Sequence, residues 1–288
     1  MEITPLERGD RRIKLYLRGV PLHVVNSIRR ATIAEVPTMA VDYVVFMENN
    51  TVFYDEYIAH RLGLMPLYSE DALEKYKPPE ECAEAGEKGI FSEDCFVKLE
   101  LSGQGPEDGV LTLRAKDLVT SDPGVKPVYP ETPIVQLIRG QSIKLEAYAR
   151  LGRGKEHVKW SPVSVAAHKY VAKIYIDPQL CDPRDCAKCV DACPKNVLEL
   201  REGAVVVRED KILDCSLCRL CELACPRGAL KVSWREDEYV LTIEATGALS
   251  PARILREAVK ILDSKLSELE EQLAKIGGSG GAQSDQRA

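Results

Sequence analysis

Two runs of cysteine in the second half of this chain restrict its fold more than any other feature, because they contain eight of its ten cysteines. The first run reads Cys181-x4-Cys186-x2-Cys189-x3-Cys193-Pro194. The second reads Cys215-x2-Cys218-x2-Cys221-x3-Cys225-Pro226. In bacterial ferredoxins, three thiolates at this spacing bind one cluster, and the cysteine before proline ligates the neighbouring cluster. The second run therefore predicts an iron–sulfur site.

The ferredoxin rule also predicts that each cluster takes ligands from both runs. One predicted set is Cys215, Cys218, Cys221 and Cys193, and the other is Cys181, Cys186, Cys189 and Cys225. The x4 spacing moves Cys181 two residues from its usual place. Three outcomes stay open for its set: a three-iron cluster, a strained ligand, or no cluster. The predicted cofactor is thus one or two clusters of the [4Fe-4S] or [3Fe-4S] type.

An internal repeat favours iron–sulfur over the alternatives, which are zinc bound by C-x2-C pairs and disulfides. The last three cysteines of the first run and the following proline recur 32 residues later in the second run. Short apolar segments flank each run and read as strands: 172–177, 196–200, 204–210 and 228–232. We therefore predict a ferredoxin-like domain over residues 171–234. Cys82 and Cys95 lie outside the runs, and we interpret them as ordinary or loop cysteines.

Composition indicates a protein whose partners are other proteins. The net charge of −6, from 39 basic and 45 acidic residues, argues against a main nucleic-acid clamp, which works by neutralising phosphates. The first residues contain no apolar export segment, and no apolar run approaches the length of a membrane span. Since cluster thiolates need a reducing compartment, we expect a cytoplasmic location and no membrane partner.

The remaining patterns predict an α+β fold. A helix should begin at Pro21 and end before Pro37, and a second, short helix should lie within 55–67. Strands are predicted at 11–20, 38–49, 95–101, 110–114, 143–149 and 238–246. The acidic, proline-containing stretch 69–89 reads as a surface excursion, and 277–288 as a flexible, disordered tail.

A long helix is predicted to begin at Ser250-Pro251, which suit the N-cap and the first helical position. Its apolar residues step alternately by four and three positions: Leu255, Val259, Leu262, Leu266, Leu269, Leu273 and Ile276. This spacing is typical of the seam of a helix that packs against another helix. We name these seven residues the seam.

The chain offers no catalytic motif. It contains no P-loop, no G-x-S-x-G, no H-E-x-x-H and no clustered aspartates for two-metal chemistry. Its four histidines are scattered, without a neighbouring nucleophile in sequence. We therefore predict no catalytic residue.

Residues 26–67 closely resemble the signature of the RNA polymerase alpha-like subunits, and "GKEHVKWSPV" (154–163) is similar to another segment of that family. The family includes the D-type subunit of archaeal polymerases, the third-largest subunit of eukaryotic RNA polymerase II and the bacterial alpha amino-terminal domain. The resemblance covers nearly the whole chain. It implies a non-catalytic platform subunit of an archaeal DNA-directed RNA polymerase, active in transcription.

The resemblance also implies a domain plan and partners. Residues 1–50 and 235–276 would form a discontinuous dimerisation domain, with residues 51–170 as an inserted α+β domain. The seam would pair with a smaller alpha-like subunit, L. Small subunits N and P and the large catalytic subunits would complete the assembly.

Arg29 and Arg30 have two interpretations, a solvated helix face or a contact with the large subunits, and the resemblance favours the contact. The alternative function for the chain is an electron-transferring iron–sulfur subunit of an oxidoreductase. The cysteines alone favour that alternative, but it leaves residues 26–67 unexplained.

Overall fold

Strands of alternating apolar residues form the sheets of the protein. The computed structural model describes residues 1–182 and 187–278. The fold is mixed α+β and divides into two units. Unit 1 consists of Met1–Arg8, Ile13–Asn26 and Ala167–Thr242, and unit 2 of Gly9–Arg12, Ser27–Ala166 and the chain from Ile243 onward.

Twelve strands and seven α-helices are described. The strands are β1 (Glu2–Arg8), β2 (Arg12–Arg18), β3 (Pro37–Asn49), β4 (Phe96–Gln104), β5 (Leu111–Arg114), β6 (Val119–Thr120), β7 (Pro133–Leu137), β8 (Ser142–Arg153), β9 (Val163–Ile176), β10 (Leu198–Arg201), β11 (Ala204–Val207) and β12 (Leu230–Ala245). The helices are α1 (Leu22–Ala34), α2 (Asp55–Gly63), α3 (Ala72–Lys75), α4 (Pro79–Glu87), α5 (Ala187–Asp191), α6 (Leu220–Leu223) and α7 (Pro251–Gly278).

Unit 1 is built on a four-stranded sheet with the order β1-β2-β12-β9. The cysteine runs lie between β9 and β12, which are neighbours in this sheet. The backbone N–H of Asp177 donates to the carbonyl oxygen of Ala229 at 2.8 Å, so the two ends of the cysteine segment meet. Within the segment, β10 and β11 form a separate antiparallel pair.

The sequence predicted two strands where the structure has the single strand β12, so that prediction was wrong. Residues 233–237, which lie between the two predicted strands, also belong to β12. The buried carboxylate of Glu238 accepts hydrogen bonds from the Tyr16 hydroxyl at 2.6 Å and from Arg235 at 2.9 Å. Strand β1 was not predicted at all.

Unit 2 contains a four-stranded sheet with the order β3-β8-β4-β6. Strands β3 and β8 pair antiparallel from Pro37↔Arg153 to Asn49↔Ile143, with two irregularities in register. Helix α2 and the β5–β7 pair contribute to the same apolar core. Its largest fully buried side chains are Met39, Ile58, Leu62, Leu67, Leu99, Leu101, Leu137, Ile143 and Leu145.

The predicted surface excursion at 69–89 was wrong, because this stretch forms α3 and α4 and supplies buried residues. Cys82 is fully buried and forms a disulfide with Cys95, just before β4. Phe96 and partly buried aromatic rings pack around the pair. The interpretation of these two residues as ordinary or loop cysteines is therefore corrected to that of a buried cross-link. No local pattern signals it, since the partners lie 13 positions apart in a chain that was expected to stay reduced.

The helix predicted at the carboxyl end is confirmed as α7, which begins at Pro251. The Arg253 N–H donates to the Ser250 hydroxyl oxygen at 3.4 Å, as expected for an N-cap. Of the predicted tail, residues 277 and 278 end α7, and the others lie outside the described residues. Among the residues that the structure describes, no helix is long and apolar enough to cross a membrane.

One glycine of unit 2 is required by a close approach of an aromatic ring. A Cβ added at Gly152 in β8 would lie 2.3 Å from the Trp160 ring, well inside van der Waals contact. Trp160 cannot move easily, because the Arg150 guanidinium and the Lys159 ammonium lie over its ring at 4.4 and 4.3 Å. Both cations are also paired with Asp42, at 2.7 and 2.6 Å.

We expect Gly152→Ala to destabilise the protein by about 1–3 kcal/mol, the usual cost of overpacking a tight site. Calorimetry would show a thermal midpoint lower by several degrees. Gly63→Ala is the matched control, because its Cβ would meet the Val41 carbonyl oxygen at an ordinary 3.6 Å. Equal midpoints for the two variants would contradict the packing described.

Candidate iron–sulfur centre and assembly surface

Four cysteines of unit 1 line one cavity, and they are the four members of the first predicted ligand set. Cys193 comes from the end of the first run, and the other three, Cys215, Cys218 and Cys221, come from the second run. Ile174 of β9 and Val232 of β12 form the apolar wall behind them. The cavity holds about 340 Å³ of empty space, including its mouth. The sheet thus brings two cysteine runs that are distant in sequence to one place.

The loop of the second run adopts an unusual backbone that directs amide groups toward sulfur. Leu217 and Arg219 have positive φ angles of 58° and 60°, a region that non-glycine residues rarely adopt. The backbone N–H groups of Leu217 and Leu220 hydrogen-bond the sulfurs of Cys215 and Cys218. From the other run, the Val197 N–H donates to Cys193 Sγ at 3.4 Å. Such concave arrays of N–H groups suit anionic sulfur ligands.

Burial and the charges of neighbouring cysteines raise the pKa of two thiols in this cavity, those of Cys221 and Cys215. Burial, reinforced by the charge of Cys193, raises the pKa of Cys221 to about 11. Burial likewise raises the pKa of Cys215. Exposed Cys218 is the opposite case, since the Leu220 amide lowers its pKa. Since clusters bind thiolates, iron must displace protons from the buried members of this set, which makes iron binding depend on pH.

The other predicted ligand set is also brought together, as far as the structure describes it. Cys189 and Cys225 are buried in one cluster of side chains, with Cys181 packed against it. Burial, then the charges of Cys225 and Cys181, raise the pKa of Cys189. Cys186 lies outside the described residues. Asp182 and Arg227 form an ion pair at 3.4 Å between the two runs at this site.

The donor chemistry of the four-cysteine cavity fits an iron–sulfur core. All four candidate ligands are cysteines, and thiolates are the usual ligands of such clusters. In a cubane, each thiolate binds a different iron, so its cysteines surround a volume larger than that around a single ion. Within residues 1–182 and 187–278, no three His, Cys, Asp or Glu side chains form a group that could hold one metal ion.

A lysine that sequence reasoning did not single out lies beside the four-cysteine cavity. Lys169 of β9 donates from Nζ to the carbonyl oxygen of Cys215 at 2.9 Å. Burial, followed by the charge of Lys14, lowers its pKa. No local pattern could have identified Lys169, because it lies far from the second run in sequence and reaches it only through the sheet.

The seam of α7 is largely exposed beyond its first turns. Ile254 and Ala258 anchor the start of the helix with no exposed surface. Five seam residues are exposed on the isolated chain, with exposed fractions of 51–71%: Val259, Leu266, Leu269, Leu273 and Ile276. Leu255 and Leu262 are half-buried. This stripe of large apolar side chains is unusual for a solvent-facing helix.

A polar contact holds the middle of α7 within unit 2. The Glu35 carboxylate pairs with Lys265 of α7 at 2.9 Å and with Lys155 at 3.3 Å. Partial burial opposes its ionisation, but these two lysines hold the pKa of Glu35 below its usual value.

The two candidate docking residues, Arg29 and Arg30, lie on α1. Arg29 is half-buried and Arg30 is exposed.

Comparisons with known proteins assign the two central parts of the chain. Residues 44–171 match the RNA polymerase Rpb3/RpoA insert domain, and residues 171–230 match a 4Fe-4S dicluster domain. Together these matches define an RNA polymerase subunit of the alpha-like class that contains an iron–sulfur domain.

Full-length relatives refine that class. DNA-directed RNA polymerase subunit Rpo3 of Aeropyrum pernix is 41% identical, with 96% of each chain covered. Rpo3 of Methanosarcina mazei is 39% identical over 93% of this chain and 97% of its own, and Rpo3 of Archaeoglobus fulgidus is 36% identical over 96% and 98%. The chain belongs to the Rpo3 family of archaeal DNA-directed RNA polymerase subunits.

Family membership confirms the main functional prediction. The chain is a non-catalytic assembly subunit of a nucleotidyltransferase complex, and its partners are other polymerase subunits. The dicluster match supports an iron–sulfur cofactor. The electron-transfer alternative is not favoured, because the relatives are polymerase subunits over nearly their whole length.

Proposed function

We propose that this chain is the platform on which the polymerase assembles. In this proposal, residues 1–50 and 235–276 form the dimerisation domain, and residues 51–170 and 171–234 are the two domains inserted into it. The smaller alpha-like subunit L covers the seam, and small subunits N and P and the large catalytic subunits bind to the resulting pair. The exposed seam of α7 is the observation that carries this proposal.

The exposed part of the seam offers a favourable term for association. Fully burying an exposed aliphatic side chain of this size contributes about 1.5–3 kcal/mol. Five such side chains, each more than half exposed on one stripe, offset much of the entropy cost of pairing. The alternation of four and three positions places them where a partner helix can interlock with them.

We expect Leu269→Glu to weaken pairing with the small alpha-like subunit by 100-fold or more, because a carboxylate would be buried in the seam. Ser267→Glu, two positions away on the same helix and off the seam, should pair normally. Co-expression and affinity purification with the small subunit and the large subunits would measure both. Normal assembly of Leu269→Glu would contradict the seam proposal. For this comparison, the unpaired variant must have the same thermal midpoint as the unpaired wild type.

Arg29 and Arg30 are proposed to dock the large catalytic subunits. They lie on α1, away from the seam in sequence, and guanidinium groups suit paired contacts with carboxylates at protein interfaces. This assignment separates two assembly steps, because the seam would form the heterodimer and α1 would recruit the large subunits.

The double change Arg29→Glu and Arg30→Glu should leave the heterodimer intact but reduce capture of the large subunits by tenfold or more, through like-charge repulsion. The matched control reverses two other exposed charges, Arg139→Glu and Lys144→Glu. Quantitative pull-down of the large subunits by the purified heterodimer would compare them. Equal capture by both double variants would show that the α1 arginines lie on a solvated face.

The two ligand sets are proposed as predicted, with Cys193 joined to the second run and Cys225 to the first. The shared cavity of Cys193, Cys215, Cys218 and Cys221 supports the first set. Packing of Cys225 against Cys189 and Cys181 supports the second. We propose [4Fe-4S] or [3Fe-4S] clusters at one or both sites, bound by the thiolates and by amide hydrogen bonds to sulfur.

The proposed role of the clusters is structural. A domain of residues 171–234 is too short to rest on its apolar core alone, and such small domains usually need metals or cross-links. Thiolate–iron bonds that join both cysteine runs would supply them. Iron would then add to the folding free energy of this domain without entering the chemistry of transcription.

We expect Cys218→Ser to lower the iron content and to destabilise this domain, while pairing through the seam is unchanged. Ser216→Ala is the matched control, since Ser216 lines the same cavity but is not a predicted ligand. Iron and sulfide analysis after anoxic purification, with limited proteolysis of residues 171–234, would report both effects. Full iron content in Cys218→Ser would remove Cys218 from the ligand set.

A further inference from the structure

Charged groups from several segments lie around the four-cysteine cavity. Lys195 and Arg219 line it, and Lys169 on β9 donates to the carbonyl oxygen of Cys215. Lys14 on β2 and the carboxylate of Asp214 act on the charge of Lys169 with opposite signs. The Glu222 carboxylate accepts from the backbone N–H of Val232, in the cavity wall, at 3.1 Å. Among these groups the cations outnumber the carboxylates.

At the other site, the described charged groups include the ion pair of Asp182 with Arg227, which contributes one charge of each sign. The influences on its buried Cys189 are burial itself and the other cysteines, Cys225 and Cys181.

Among these cations, Lys169 is the one whose ammonium group is held in place by a hydrogen bond. Its Nζ donates to the carbonyl oxygen of Cys215 at 2.9 Å, and the Cys215 side chain lines the cavity. It is also half-buried, so water screens its charge less than that of exposed Lys195. An iron–sulfur core with four thiolates is an anion, and net charge and hydrogen bonding are among the factors that set its potential.

We propose that Lys169 is the charge-compensating residue of the cluster bound by the second run, which stabilises the reduced form of that cluster and raises its reduction potential. The proposal rests on the ligand set proposed above. Lys169 is a positioning residue, since it acts on the cluster through space and through the Cys215 backbone. A simpler role is also open to it, that of a hydrogen-bonding strap between β9 and the second run.

Three substitutions of Lys169 distinguish the effect of its charge from the effect of its hydrogen bond to the second run. Lys169→Met removes both the charge and the donor, Lys169→Gln removes the charge but keeps a donor, and Lys169→Arg keeps both. Lys231→Met is the matched control, because Lys231 is exposed on β12 between buried Leu230 and Val232 and so points away from the cavity side. Lys231→Met removes the same positive charge from the same domain as Lys169→Met does.

The experiment is a redox titration of the anoxically purified full-length chain with dithionite and mediators, followed by electron paramagnetic resonance. We expect Lys169→Met and Lys169→Gln to reduce the equilibrium constant for reduction of one cluster by roughly tenfold, which is about 59 mV for a one-electron couple. Lys169→Arg and Lys231→Met should match the wild type. The potential of a second cluster should move less in every variant.

The other possible results of this titration test either the charge role of Lys169 or the proposed ligand sets. Unchanged potentials in Lys169→Gln, or an equal shift in Lys231→Met, would overturn the charge role of Lys169. If both neutral variants fail to bind iron, binding by Lys169→Arg supports the charge role, and failure of Lys169→Arg overturns it. A wild-type chain without iron would instead overturn the proposed ligand sets, which distinguishes the failure of the two proposals.

Discussion

The proximity of β9 and β12 is the constraint on which the iron–sulfur part of the structure depends. These strands are neighbours in one sheet, and the bond from Asp177 N–H to the Ala229 carbonyl closes the whole cysteine segment between them. Closing a long loop costs little more than closing a short one, so a large segment can be inserted at this point without disturbing the sheet. The sheet also supplies the walls, Ile174 and Val232, and the side chain of Lys169.

Much of the fold could be predicted from local patterns, and the failures share one physical cause. Helices α1, α2 and α7 and strands β2, β3, β4, β5 and β8 follow apolar periodicity and capping residues, which are local signals. The errors arose where a contact with a residue distant in sequence changes the burial or the secondary structure of a segment. The acidic stretch 69–89 reads as exposed in sequence, but Cys82 within it is buried and forms a disulfide with the distant Cys95.

The candidate site shows the same division. Cysteine spacing alone grouped Cys193 with the second run, because ferredoxin geometry is encoded in the motif, and that ligand set stays a prediction until iron is measured. The surroundings of the sulfurs were not predictable. Positive φ angles at Leu217 and Arg219 and the approach of Lys169 depend on how the loop lies against β9, which no short pattern records. The seam could be predicted as a stripe, but the identity of its partner stays a proposal that rests on family membership.

The packing of Cys225 against Cys189 and Cys181 has a consequence for biosynthesis. A ribosome adds about 5–20 residues per second, so the first-run cysteines wait on the order of seconds before Cys225 is made. During that interval their thiols are unprotected, and they share the nascent chain with Cys82 and Cys95, which must become oxidised while the others stay reduced. Correct maturation therefore requires two sets of cysteines in one polypeptide to reach opposite states, one oxidised to a disulfide and the other left as free thiols.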